Sequence, residues 1–247
     1  MSAISLPLEE NQRTRTARGL ARLLSPAPTV GLHSVASTER EQVEQYIFDQ
    51  FQANHGASIR EFMPFLFTTV CGGALSAAVG VRPAYENELF LEQYLPETAE
   101  KLIGDLAGKT VKREELVEIG SLVASHAGSS QLVYLIMAAI LHRAGFKWLI
   151  ITATPQVQKA INRLGFELYP IGSADPSALS AKNLSDWGSY YESRPQIVAG
   201  NLAEAMDVLS GRKIYQRLMS LYQHRIDAMA LIIRQSNRRV DQHCFAA

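Results

Sequence analysis

The stretch LVEIGSLVASHAGSSQLVYLIMAAILHRAGFKWLIITATPQVQKAINRLGFELYPI, residues 116–171, decides the fold. Leu116–Ala124 is an apolar run broken by one acid, Glu118, and reads as a buried strand. The small-residue loop Ser125-His126-Ala127-Gly128-Ser129-Ser130 leads straight into an apolar helical segment, Gln131–Ala144, which Gly145 stops. Phe146–Ala153 reads as a second strand. Pro155 opens another helix at its first turn, where the missing N–H costs nothing, and Gly165 closes it. Phe166–Ile171 reads as a third strand. Strands alternating with helices in this way imply parallel pairing through helical crossovers.

Upstream, Thr38 and Glu41 form a capping-box pattern, and Val43, Tyr46, Ile47 and Phe51 follow at helical spacing, so a helix is expected to end near Asn54-His55-Gly56. Phe62–Val81 lacks Lys, Arg, Asp and Glu and is long enough to span a bilayer. Its Pro64, Gly72, Gly73 and Gly80 favour two strands around a Cys71-Gly72-Gly73 turn. Glu88–Leu106 is a mixed helical stretch broken at Pro96. Residues 1–37 hold an amphipathic, Arg-rich segment, 13–24, followed by Ser25-Pro26-Ala27-Pro28, and read as a basic N-terminal arm. Residues 38–200 form the main domain, and 201–247 a helical C-terminal extension, Leu202–Leu209 and Ile214–Gln235.

Lys and Arg number 24, as do Asp and Glu, so the 247-residue chain is formally neutral. That neutrality excludes a protein built to neutralise nucleic-acid phosphates. The balance divides into +2 for residues 1–37, −5 for 38–201 and +3 for 202–247. Hydrophobic residues at 47% exclude disorder. The two cysteines, Cys71 and Cys244, make neither a disulfide framework nor a metal pattern, and Cys71 is expected to be a small buried apolar residue. No secretory signal is readable at the start, so a cytoplasmic location is expected. The six histidines lack metal-ligand spacing, and no metal is expected.

Two features bear on chemistry. The loop before Gln131 lets a ligand approach the backbone, and the helix behind it presents unpaired N–H groups suited to a phosphate or pyrophosphate. An ordinary strand–helix turn capped by Ser129 or Ser130 is the alternative. Walker and dinucleotide-binding patterns are missing from it. Glu118, inside an apolar strand, is expected to have a raised pKa, which suits a base that takes a proton from an amine; a structural ion pair with an arginine is the alternative. Trp187, Tyr190 and Tyr191 could wall a substrate pocket or plug a core.

The order helix, hairpin, strand, Gly-Ser loop, helix, strand, helix ending in Arg163-Leu164-Gly165-Phe166, and strand resembles the N-acetyltransferase (GNAT) fold. Val117-Glu118-Ile119-Gly120-Ser121-Leu122 is similar to a strand of acyl-homoserine-lactone synthases, which share that fold. More specifically, residues 89–95, 117–121, 152–154, 163–166, 174–176 and 187–191 resemble the thermostable hemolysin family, over roughly residues 38–200.

The resemblance implies an α/β (α+β) fold: a mixed, mostly antiparallel central sheet with one parallel strand pair, flanking helices and a helical C-terminal extension. It implies an acyltransferase using an acyl-CoA or acyl-carrier-protein thioester as donor substrate, without a permanently bound cofactor, and a small amine such as an amino acid as acceptor. Backbone groups around Ile119, Gly120 and Ser121 would meet the pantetheine arm, and His126, Gly128, Ser129, Ser130 and Gln131 its phosphates. Glu118 would be the base, and Gly120 the place where the strand splays. The tyrosine that often protonates the leaving thiol falls on Ile161, which leaves Tyr190 or Tyr191 for that role. Arg212, Lys213, Arg217 and Arg225 could steer an acidic carrier protein. The family's name points elsewhere, to membrane contact through the basic amphipathic stretches 13–24 and 202–239. A third reading is a module that binds the acyl donor without turnover.

Overall fold

Residues 27–85, 88–125 and 129–244 are described by the computed structural model, without the side chains of Ser129, residues 181–183 and residues 237–244. Leu116–Ala124 is β4, with the bounds expected from its apolar run. Around it the sheet is ordered β1-β2-β3-β4-β5-β7-β6, with β1 Thr29–His33, β2 Phe65–Cys71, β3 Ala74–Pro83, β5 Trp148–Ala153, β6 Tyr169–Ser173 and β7 Gln196–Asn201. Among the described residues β4 and β5 are the one parallel pair, from Leu116 opposite Trp148 to Ile119 opposite Ile151. The other neighbours are antiparallel.

The expected β2–β3 hairpin replaces the bilayer-spanning reading of Phe62–Val81: the two strands pair with each other and turn through Gly72 and Gly73 at positive φ. Cys71, expected to be buried, is exposed at the tip of that hairpin, beside the Gly72-Gly73 turn. Among the described residues no helix is long and apolar enough to cross a membrane. The segment 13–24 lies outside the described residues.

Within the 116–171 run the third strand differs from the expected one in both its partner and its start. It does not pair with the second: β7 lies between β5 and β6 and is antiparallel to both. The third strand also starts later, at Tyr169, because Phe166 turns into the core between helices. Residues 29–33, within the stretch expected to be an arm, are the edge strand β1. Tyr222 Oη donates to the Pro28 carbonyl (2.6 Å), and Arg225 Nη1 to that of Val30 (3.0 Å).

The helices are α1 Arg40–His55, α2 Ala99–Ala107, α3 Ser129–Ala144, α4 Pro155–Leu164, α5 Ala181–Asp186, α6 Leu202–Ser210 and α7 Lys213–Cys244. Every residue from Leu132 to Leu141 in α3 is buried. A helix apolar on all sides needs cover on all sides. The sheet supplies one wall, and α6 and α7 the other, through Leu202, Leu209, Tyr215, Leu218, Tyr222 and Ile226. Burial of each such side chain is worth about 2 kcal/mol, so the C-terminal helices complete the main core.

Alternation along β4 sends Val117 and Ile119 to that core and Leu116 and Glu118 to the opposite face. There α1, α2, the short 3-10 turn Phe90–Tyr94 and residues 187–191 cover the sheet.

Candidate active site at the parting of two strands

Beyond Ile119 and Ile151 the parallel pair separates. On the other side of β4 the register slips: Gly80 faces Gly120 and Ala78 faces Val123, so Ser121 and Leu122 together oppose Val79. This is a β-bulge, and it bends β4 away from β5. Ser121 takes φ +49°, a left-handed conformation that costs a non-glycine residue about 1 kcal/mol. The expected splay at Gly120 is therefore present, with its strained residue one position later.

A cavity of about 530 Å³ opens at the parting. Glu118, Ile119, Gly120, Ser121, Trp187, Tyr190 and Tyr191 all line it, together with Phe51, Met63, Arg82, Phe90, Thr152 and Thr154. A Cβ on Gly120 would stand 2.5 Å from Met63 Cε, so the missing side chain makes room for Met63.

Glu118 is 2% exposed. The backbone N–H of Phe90 donates to its Oε2 (3.0 Å) and that of Leu91 to its Oε1 (3.1 Å). Arg82, directly opposite in the β3–β4 register, brings Nη1 to 3.7 Å from Oε2. Burial raises the carboxyl pKa above the ordinary range, against the opposing pull of Arg82 and the two N–H groups. The arginine pairing and the raised pKa thus coexist in one residue.

The turn that donates to Glu118 is itself pinned. Glu92 accepts from the backbone N–H of Leu89 and of Ala99, and from Arg113 Nη1 and Nη2, both at 2.7 Å. Arg113 also reaches Glu100 and the Ala84 carbonyl, each at 2.8 Å. Burial alone would raise the Glu92 pKa; the Arg113 and backbone hydrogen bonds outweigh it and hold the carboxyl down at about 2.

Aromatic rings wall the far side. Trp187 lies 5.2 Å from Tyr190 and 5.8 Å from Phe51 by ring centroids, and Tyr190 lies 5.2 Å from Tyr191. Tyr190 Oη donates to the Thr152 carbonyl (3.1 Å). The hydroxyls of Tyr94 and Tyr191 are 2.5 Å apart. Burial raises the pKa of all three phenols, so they stay protonated. The segment is fastened to the end of α1: Ser58 N–H donates to the Asp186 carbonyl (2.7 Å) and Ser189 N–H to that of His55 (2.9 Å).

Of the residues expected at the phosphate loop, Ser130 and Gln131 sit in the first turn of α3 and do not line this cavity. Ser129 begins α3, and its side chain, like His126 and Gly128, lies outside the described residues. Sequence reading missed Arg82, Met63 and Tyr94. The signal for Arg82 was available: it is the first charged residue after the charge-free run 62–81, at the end of an apolar strand.

Residues 33–206 match the thermostable hemolysin family. No curated protein matches the chain. Among solved structures, TofI in an apo form aligns over 74% of this chain and 96% of that one, at 12% identity and a TM-score of 0.51. The acyl-homoserine-lactone synthase LasI aligns over 71% and 90%, at 11% identity and TM-score 0.48. FeeM, an N-acyl amino acid synthase from uncultured soil microbes, aligns over 77% and 98%, at 16% identity and TM-score 0.47. The fold is the GNAT-like mixed sheet, and the chain belongs to the thermostable hemolysin family.

Proposed function

We propose that this member of the thermostable hemolysin family is an acyltransferase. It moves an acyl group from a thioester, on coenzyme A or on an acyl-carrier protein, to a small amine such as an amino acid. The observation that carries the reading is the parting of β4 and β5 beside a buried carboxylate, at the mouth of a cavity large enough for both reactants.

A thioester arm laid in the gap meets main-chain groups of β4 around Gly120 and Ser121 that β5 no longer covers. The acyl carbon faces the cavity. Glu118 keeps unused acceptor sites beyond its two backbone hydrogen bonds and takes a proton from the incoming ammonium group, directly or through one water. The freed amine attacks the thioester carbon, and the C–N bond forms. A strand N–H meets the developing oxyanion, an interaction worth about 3 kcal/mol. The attacking nitrogen gives up its second proton to water, and collapse breaks the C–S bond and expels a thiolate.

Tyr190 has committed its proton to Thr152, which leaves Tyr191 as the acid for the thiolate. Residues 126–131 receive the donor's phosphates.

Purified protein incubated with acyl-CoA or acyl-carrier protein and a panel of amino acids is expected to release free thiol and form an amide. If no donor is consumed with any amine, the reading is wrong.

A further inference from the structure

α4 separates the cavity from a second depression. Thr154 and Val157 line the cavity, whereas Pro155 and Gln158 line an open groove of about 770 Å³. The segment after the aromatic wall does the same: Tyr190 and Tyr191 face the cavity, while Ser193 and Arg194 face the groove. The groove's cations are Lys159, Arg163, Arg194 and Arg212, and no carboxylate lines it among the described residues.

These cations are not structural partners of acids. Lys159, Arg163 and Arg194 are exposed, and no described carboxylate lies within 4 Å of any of them. Arg212 is half-buried, donating to Tyr215 Oη (2.9 Å) and lying 5.1 Å from the centroid of that ring. Lys159 and Arg163 stand one turn apart on α4, a like-charge spacing that costs the helix a few tenths of a kcal/mol, roughly, until an anion offsets it.

We propose that this groove docks the acidic face of an acyl-carrier protein. The inference rests on the acyl-transfer reading and names the donor's carrier. A single phosphate calls for donors converging on one point. Here the exposed cations Lys159, Arg163 and Arg194 spread over α4 and the turn after Tyr191, with about 12 Å of α4 from Pro155 to Arg163 alone, as a broad protein surface requires. A carrier seated there stands about one helix diameter, 10 Å, from the cavity, within reach of a tethered acyl chain. Of the four cations expected from the sequence to steer a carrier, only Arg212 lines the groove; Lys213 and Arg217 do not, and Arg225 is engaged with β1.

The test is the double variant Lys159→Glu, Arg163→Glu, assayed with one acyl group on an acyl-carrier protein and on coenzyme A. The KM for the carrier-borne donor is expected to rise about tenfold at low ionic strength and to converge on wild type in high salt. With the coenzyme A donor, kcat/KM stays within about twofold. An unchanged KM for the carrier donor, or equal losses with both donors, overturns the docking site. If wild type uses neither donor, the acyl-transfer reading fails on its own. Surface binding of holo-acyl-carrier protein then decides the groove: weaker binding to the variant upholds it, and no binding or equal binding overturns it.

Discussion

The hydroxyl oxygens of Tyr94 and Tyr191 lie 2.5 Å apart, and of the two only Tyr191 lines the cavity. When Tyr94 donates to Tyr191, the Tyr191 proton is left to point at a ligand, and Tyr94 fixes where it points. A departing thiolate with a pKa of about 8.5 needs little help, which caps the contribution of any acid. Tyr191→Phe is therefore expected to lower kcat about tenfold. Tyr94→Phe should lower it less and leave KM unchanged. Steady-state kinetics of both variants checks this; a Tyr191→Phe enzyme as fast as wild type removes the acid role.

Glu118 must be ionised to accept a proton, and burial raises its pKa. The value of kcat/KM should therefore rise with pH through a limb above the ordinary carboxylate range. Arg82 favours the ionised form, so Arg82→Gln should move that limb to higher pH. Glu118→Gln should lose about 100-fold in kcat/KM at neutral pH. It should also lose about 1–2 kcal/mol of stability, because its amide nitrogen cannot accept the backbone N–H that faces it. A limb that stays in place in Arg82→Gln excludes Glu118 as the titrating base.

How far these features were legible follows from the range of the forces involved. β4 and α1 end where local signals place them, at an apolar run's limits and at Gly56 in the left-handed conformation. β7 was not legible: its place between β5 and β6 is set by pairing, and Gln196–Asn201 is too short to announce itself. Glu118 stood out as an acid in an apolar strand. Its partners Phe90 and Leu91 are 28 and 27 residues distant, and nothing local ties a backbone N–H to a carboxylate so far along the chain.

Glu92 gives the fold an acid limit. Its carboxyl is held at about 2 against an ordinary 4.5, and its side chain is 14% exposed. A depressed pKa stabilises the folded state above the unfolded value, and that stability is lost as pH falls from 4.5 towards 2. The shift corresponds to about 3 kcal/mol at most. Urea unfolding from pH 7 to pH 3 should show wild type losing stability across that window. Glu92→Gln should start less stable and change less. Parallel curves for the two proteins would discard Glu92 as a source of the acid limb.

Two glycines separate stability from substrate fit. Gly188 has φ +52°, and a Cβ there would stand 2.1 Å from the His55 carbonyl oxygen, a backbone atom at the end of α1 that cannot yield. Gly188→Ala should cost more than about 2 kcal/mol and detach the 186–189 segment that carries Trp187. At Gly120 the obstacle is Met63 Cε, the free end of a flexible side chain. Gly120→Ala should cost only about 1 kcal/mol, but the displaced methyl enters the cavity and raises KM. Adding Met63→Ala vacates that space, so the double variant should recover the wild-type KM while remaining less stable. Thermal unfolding and acyl-donor KM, measured together, distinguish the sites; a Gly120→Ala effect that Met63→Ala does not relieve would mean that Met63 is not what the added methyl meets.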